Sequence, residues 1–127
     1  MADMQRLNRL TEQVIGAAIE VHRELGAGFL ESTYERALSI ELNLRGIKHR
    51  VQVPCSLKYK GQDIGEGKLD LLIEGVLIVE LKSVKELVDA HTTQALAYLK
   101  ATGLSLALII NFHSPLLKDG VRRVIND

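Results

Sequence analysis

The strongest strand signal in this sequence is the segment Lys68-Leu69-Asp70-Leu71-Leu72-Ile73-Glu74-Gly75-Val76-Leu77-Ile78-Val79-Glu80-Leu81-Lys82. Two apolar runs rich in β-branched residues flank a central Glu-Gly pair, a pattern typical of a β-hairpin. A loop of three residues, 74–76, pairs Ile73 with Leu77, and Asp70 then falls opposite Glu80. A two-residue loop would put these carboxylates on opposite faces. We predict the three-residue loop, because it gathers the charges at one end of a buried sheet.

In this register the hairpin has one charged face and one apolar face, because strand side chains alternate. The first face has Lys68, Asp70, Leu72, Ile78, Glu80 and Lys82, and the second has Leu69, Leu71, Ile73, Leu77, Val79 and Leu81. The apolar face is expected to lie in the core. The charged face is the candidate site.

The composition of the chain predicts a single domain over residues 1–127. With 46% hydrophobic and 25% charged residues, the chain is too apolar for disorder, and no apolar run approaches the ~20 residues of a membrane-spanning helix. The start lacks the apolar core of a signal peptide, and the only cysteine, Cys55, excludes an intrachain disulfide. These features favour a cytoplasmic location. A net charge of zero excludes a strongly basic architectural DNA-binding protein.

Periodicity along the chain predicts the element order ααββββαββ. The predicted helices are 8–25, 30–46 and 89 to about 101, and the predicted strands besides the hairpin are 51–53, 57–59, 106–110 and 121–125. Pro54 divides the first two of these strands. A helix between two apolar strands requires a crossover, so we expect a mixed sheet covered by helices.

The carboxylates Asp70 and Glu80 are the clearest indication of chemistry. Two adjacent buried carboxylates repel each other, and one takes up a proton unless a cation shares the site. Oxygen ligands suit Mg²⁺ or Mn²⁺, which keep positions for water and phosphate oxygens. Lys82, on the same face, is placed to orient an attacking water and to offset charge on a phosphorane. The pattern indicates phosphodiester hydrolysis, and the alternative is an amphipathic hairpin whose ion pairs face solvent.

Residues 22–34 read His-Arg-Glu-Leu-Gly-Ala-Gly-Phe-Leu-Glu-Ser-Thr-Tyr, with Gly28, Glu31 and Tyr34 spaced three apart. This segment resembles the signature of the GxxExxY family. The similarity continues through Asp70, Glu80-Leu81-Lys82, Gln94-Ala-Leu-Ala-Tyr98 and Asn111-Phe112. That family is grouped with the PD-(D/E)XK nuclease superfamily. The resemblance therefore implies a restriction-endonuclease-like α/β/α sandwich with a central mixed β-sheet.

The resemblance also implies roles for individual residues. The implied metal ligands are Asp70, Glu80 and Glu31, and the implied catalytic residues are these three with Lys82, Gln94 and Tyr98. Gln94 and Tyr98 match the QxxxY element of RecB-like members. The alternative interpretations are that Glu31 stabilises the start of its helix through the helix dipole, and that Gln94 and Tyr98 form a polar helix face.

Together these observations predict a nuclease that uses Mg²⁺ or Mn²⁺ to hydrolyse phosphodiester bonds, with DNA favoured over RNA as the partner. Two alternatives stay open: a catalytically inactive nucleic-acid or protein-binding module of the same fold, and a structure-selective endonuclease that cuts branched DNA. Cutting both strands of a duplex favours a symmetric homodimer, because one small site cuts one strand at a time.

Overall fold

A mixed β-sheet forms the centre of the protein in the computed structural model, which describes residues 3–126. In this range the helices are α1 (Met4–Leu25), α2 (Glu31–Leu44) and α3 (Asp89–Thr102), and the strands are β1 (His49–Tyr59), β2 (Gln62–Ile73), β3 (Leu77–Lys82), β4 (Leu106–Asn111) and β5 (Val121–Ile125). The strands lie side by side in chain order. Only β3 and β4 are parallel, because α3 forms the crossover between them. A short 3₁₀ helix, Leu117–Gly120, precedes β5.

Helices cover both faces of the sheet, as expected for an α/β/α sandwich. The first core cluster joins α1 and α2 to one face, with Val14, Leu38 and Leu108 at its centre. The second joins α3 to the other face through Ala95 and Leu99. None of the helices in residues 3–126 combines the length and the apolar character needed to cross a membrane.

The predicted break at Pro54 is wrong. Strand β1 runs through this residue, and Pro54 pairs with Lys68 of β2. Proline lacks the N–H donor of a strand, but β1 lies at the edge of the sheet, where one side of the strand needs no partner. The element order is therefore ααβββαββ, with one strand fewer before α3 than predicted.

The predicted three-residue hairpin loop is confirmed. Ile73 pairs with Leu77, and the N–H of Val76 donates to the carbonyl of Ile73 at 3.0 Å. Glu74 and Gly75 supply the left-handed conformations, with φ of 50° and 72°. This turn places the two strands in the register that brings Asp70 toward Glu80.

The prediction of which hairpin residues share the apolar face is wrong at one residue, Leu69. Leu71 lies in the cluster beneath α1 and α2, but Leu69 lies in the cluster beneath α3. Residues two apart in a regular strand share a face, so the alternation of β2 is interrupted at Asp70. The neighbouring position in β1 is Gln52, which has a left-handed φ of 51°.

Candidate active site

The strands β2 and β3 separate beside the two predicted metal ligands. Starting from the turn, their pairing ends at Leu71 and Val79. Farther from the turn, β2 stays paired with β1, and β3 stays paired with β4. The Oδ2 atom of Asp70 accepts a hydrogen bond of 2.8 Å from the N–H of Leu81. This carboxylate therefore replaces the missing backbone partner of β3. We call the point of separation, formed by Asp70, Glu80 and Leu81, the fork.

Glu80 is a buried carboxyl with an unused oxygen. Only 5% of the residue is exposed, and its Oε1 atom has no hydrogen-bond partner among the described residues. Burial, together with the nearby charge of Asp70, raises the pKa of Glu80 to about 9. The charge of Lys82 opposes this rise. Without a cation, Glu80 therefore holds a proton at neutral pH.

Helix α3 brings the two residues of the predicted QxxxY element toward the fork. The Nζ atom of Lys82 donates to Oε1 of Gln94 over 3.4 Å. One turn later, Tyr98 packs against β2, where a Cβ at Gly67 would lie 2.7 Å from its Cε1 atom. Burial raises the pKa of the Tyr98 hydroxyl, and the charge of Glu80 adds to the rise. Both residues thus lie on the α3 side of the site.

Glu31 does not join Asp70 and Glu80 in a metal-binding cluster. It is the first residue of α2 and is exposed. Across residues 3–126, no group of three or more His, Cys, Asp or Glu side chains is arranged to hold a metal ion. Of the three predicted carboxylate ligands, the described residues bring Asp70 and Glu80 near each other at the fork and leave Glu31 at the solvent-exposed start of α2.

The α2 carboxylate that interacts with Asp70 is Glu35, which sequence reasoning missed. Nε2 of Gln52 donates to Oε2 of Glu35 at 2.6 Å. Burial raises the pKa of Glu35; the bond from Gln52 opposes this rise, and the charge of Asp70 adds to it. The available sequence signal was helical spacing, since residues four apart such as Glu31 and Glu35 share one helix face.

Other residues of the matched segments support the site without facing it. Tyr34 is fully buried, its ring stacks on Phe112 at 4.4 Å, and its hydroxyl donates to the carbonyl of Gly26 at 2.6 Å. The side-chain Oδ1 atom of Asn111 accepts a hydrogen bond of 3.1 Å from the N–H of Val84, and its Nδ2 atom donates one of 2.8 Å to the carbonyl of Val84. These bonds hold the α1–α2 loop and the segment that follows Lys82.

The residues of the fork fit a divalent cation. Asp70 uses one oxygen for the N–H of Leu81, and Glu80 has a buried oxygen without a partner. A cation in contact with both carboxylates would relieve their repulsion and would satisfy this oxygen. Mg²⁺ commonly binds through one or two carboxylates and keeps several water molecules, so two protein ligands are sufficient.

Comparisons with known proteins gave a match to a family model and a match to a solved structure. A family model described as the PD-(D/E)XK nuclease superfamily matches residues 8–124. The crystal structure of SSO0001 is similar over 92% of this chain and 77% of its own, with 15% sequence identity and a TM-score of 0.44, a level that carries no information on activity. Curated proteins show no significant match. Because the family model spans nearly the whole sequence, the chain belongs to the PD-(D/E)XK nuclease superfamily.

Proposed function

We propose that this protein is a nuclease of the GxxExxY family that hydrolyses phosphodiester bonds in DNA with Mg²⁺ or Mn²⁺. The observation that carries the proposal is the fork, where the buried carboxyl of Glu80 and the half-buried carboxylate of Asp70 lie near Lys82. Membership of a nuclease superfamily supports the reaction class. The choice of DNA and of the two ions rests on the family resemblance and on the oxygen-only character of the ligands.

Asp70 and Glu80 would hold the ion. When bound, the ion supplies a hydroxide-like nucleophile at neutral pH and offsets negative charge on the phosphate. The bond from the N–H of Leu81 fixes the direction of the Asp70 carboxylate. Ion binding requires Glu80 to lose the proton that burial otherwise keeps on it.

Lys82 would act on the substrate rather than on the ion. Its ammonium group lies two residues after Glu80, and the oxygen of Gln94 holds its Nζ atom on the α3 side. A positive charge there stabilises the negative charge that builds up on the phosphate during attack. Tyr98, packed on Gly67, lies on the same side, one turn of α3 after Gln94.

A substrate panel tests this proposal. Linear duplex, branched and single-stranded DNA, and RNA, are incubated with the purified protein and either Mg²⁺ or Mn²⁺. We expect cleavage of DNA, reduced ~100- to 1,000-fold by Lys82→Ala. The matched control is Lys100→Ala, an exposed lysine of α3, which should cleave like the unchanged protein. Preferential cleavage of branched DNA would favour the structure-selective endonuclease.

The same panel can reject catalysis. If no substrate is cut with either metal and Lys82→Ala changes nothing, the chain is an inactive binding module of the nuclease fold. Calorimetry with Mn²⁺ tests the metal site separately, because Asp70→Ala should abolish binding whether or not the protein cuts. Double-strand breaks from a species of twice the chain mass would support the homodimer, and nicks from a monomer would oppose it.

A further inference from the structure

Strand β1 contains a strained residue beside the fork. Gln52 lies between the pairs Val51–Leu71 and Val53–Leu69, directly across from Asp70. Its φ is 51°, and among the non-glycine residues in 3–126 with positive φ it alone lies inside a strand. A left-handed conformation costs a non-glycine residue ~1–3 kcal/mol, and such strain persists where the surroundings impose it.

The unusual backbone of Gln52 directs its side chain to α2. There the amide nitrogen donates to Glu35 at 2.6 Å, a bond across 17 residues of sequence. A hydrogen bond to an ionised carboxylate is about twice as strong as a neutral one. Glu35 is half-buried, and Gln52, which holds it, lies directly across from Asp70 in the neighbouring strand. Gln52 thus holds a third carboxylate beside the pair at the fork.

A purely structural link between α2 and β1 does not explain this arrangement. Placing Glu35 near Asp70 adds repulsion to a site that already has two carboxyl groups and one buried oxygen without a partner. A neutral side chain at position 35 would link the two elements without that repulsion. The excess of negative charge becomes favourable only when a cation is present.

We propose that Glu35 is the third acidic residue of the metal site and that Gln52 is the positioning residue that holds it there. This inference rests on the proposed function and assigns to Glu35 the role that the family signature suggests for Glu31. No three carboxylates are close enough to bind one ion directly in residues 3–126. Glu35 would therefore act on a bound ion from outside its direct ligands, as an outer carboxylate does in many metal sites.

Calorimetric titration of the full chain with Mn²⁺ tests the proposal. We expect Glu35→Gln to raise the Kd for Mn²⁺ by about tenfold or more, the usual effect of losing an outer-shell partner. Glu31→Gln is the matched control: it removes the same charge one turn earlier on α2, and its Kd should equal that of the unchanged protein. An unchanged Kd for Glu35→Gln, or an equal loss for Glu31→Gln, would overturn the proposal.

The role of Gln52 is tested with Gln52→Gly, because glycine readily adopts the left-handed backbone and removes the side chain that carries the amide. We expect the Kd for Mn²⁺ to rise by about tenfold while the thermal midpoint without metal is not lowered. In the double variant with Glu35→Gln, Gln52→Gly should add no further loss, since it acts through Glu35. An additive loss would contradict the positioning role.

The outcomes separate this inference from the proposed function. If the unchanged protein binds no Mn²⁺, the metal site and the role of Glu35 are both wrong. If Asp70→Ala abolishes binding but Glu35→Gln and Gln52→Gly leave it intact, the metal site stands and only the third carboxylate is rejected.

Discussion

At the turn of the β2–β3 hairpin Glu74 has a φ of 50°, and beside the fork, in β1, Gln52 has a φ of 51°. The two residues share a backbone conformation but not a setting. At the turn, Gly75 continues the loop and the N–H of Val76 bonds back to Ile73, so the geometry closes locally. At the fork no turn follows, and the conformation serves a bond to Glu35 in a distant helix.

The two ends of the β2–β3 hairpin differ in the same way: residues at the turn stabilise the fold, and residues at the fork form the candidate site. The turn end has fully buried apolar residues such as Ile73, Leu77 and Val79, whose packing favours folding. The fork end has Asp70 and Glu80. The burial of Glu80 and its repulsion by Asp70 oppose folding until a cation binds. Substitutions at the two ends should therefore have opposite effects on the free energy of unfolding.

The largest expected effect is at the turn end. Leu77→Ala should lower the free energy of unfolding by ~2–5 kcal/mol, because it leaves a cavity in the cluster between β3 and the helices α1 and α2. Urea denaturation followed by circular dichroism measures this change. Ile64→Ala, at a residue that is 64% exposed in β2, is the control and should be nearly neutral. A loss below ~1 kcal/mol at Leu77 would show that the turn end does not hold the fold together.

The second prediction concerns the fork and has the opposite sign. Glu80 has an ordinary carboxyl pKa of 4.5 when unfolded and about 9 when folded. Between these values the folded state binds more protons, so the stability of the metal-free protein falls as pH rises. Glu80→Gln cannot ionise. Its free energy of unfolding should equal that of the unchanged protein near pH 4 and exceed it by roughly 1–3 kcal/mol near pH 8. This range is smaller than the full pKa difference implies, because the structure around an ionised Glu80 can relax.

Thermal unfolding midpoints in a chelating buffer, measured across this pH range, check the second prediction. Asp89→Asn, an exposed carboxylate in the first turn of α3, is the control and should show no such divergence. A constant difference between Glu80→Gln and the unchanged protein at all pH values would mean that Glu80 ionises normally in the folded state.

The contrast between the two ends also explains what could be predicted from sequence. The turn register follows from two apolar runs of fixed length around Glu74 and Gly75, and the left-handed cap of α3 follows from Gly103, whose φ is 74°. These features depend on neighbours in sequence. The division of β1 at Pro54 was wrong because a local pattern does not reveal whether a strand lies at the edge of a sheet.

At the fork, the sequence indicated the chemistry but not the full geometry. The nearness of Asp70 to Glu80 could be inferred from the hairpin register, but the reversal at Leu69 could not, because it depends on the conformation of a residue in another strand. Helical spacing puts Glu31 and Glu35 on the same face of α2. Which of them lies near Asp70 depends on how far α2 extends over the sheet, which only the packed structure shows.

The smallest expected effect compares the two left-handed residues directly. Glu74→Gly relieves the strained backbone at the turn, but it also adds freedom to the unfolded chain and removes the exposed ion pair with Arg6, a contact of 2.9 Å. These contributions nearly cancel, so the free energy of unfolding should change by less than ~0.5 kcal/mol, and the Kd for Mn²⁺ should not change. Denaturation and calorimetry on the same samples measure both.

Gln52→Gly makes the same backbone change and should weaken Mn²⁺ binding. Equal losses of affinity in both variants would mean that glycine flexibility, rather than the lost amide of Gln52, weakens the site.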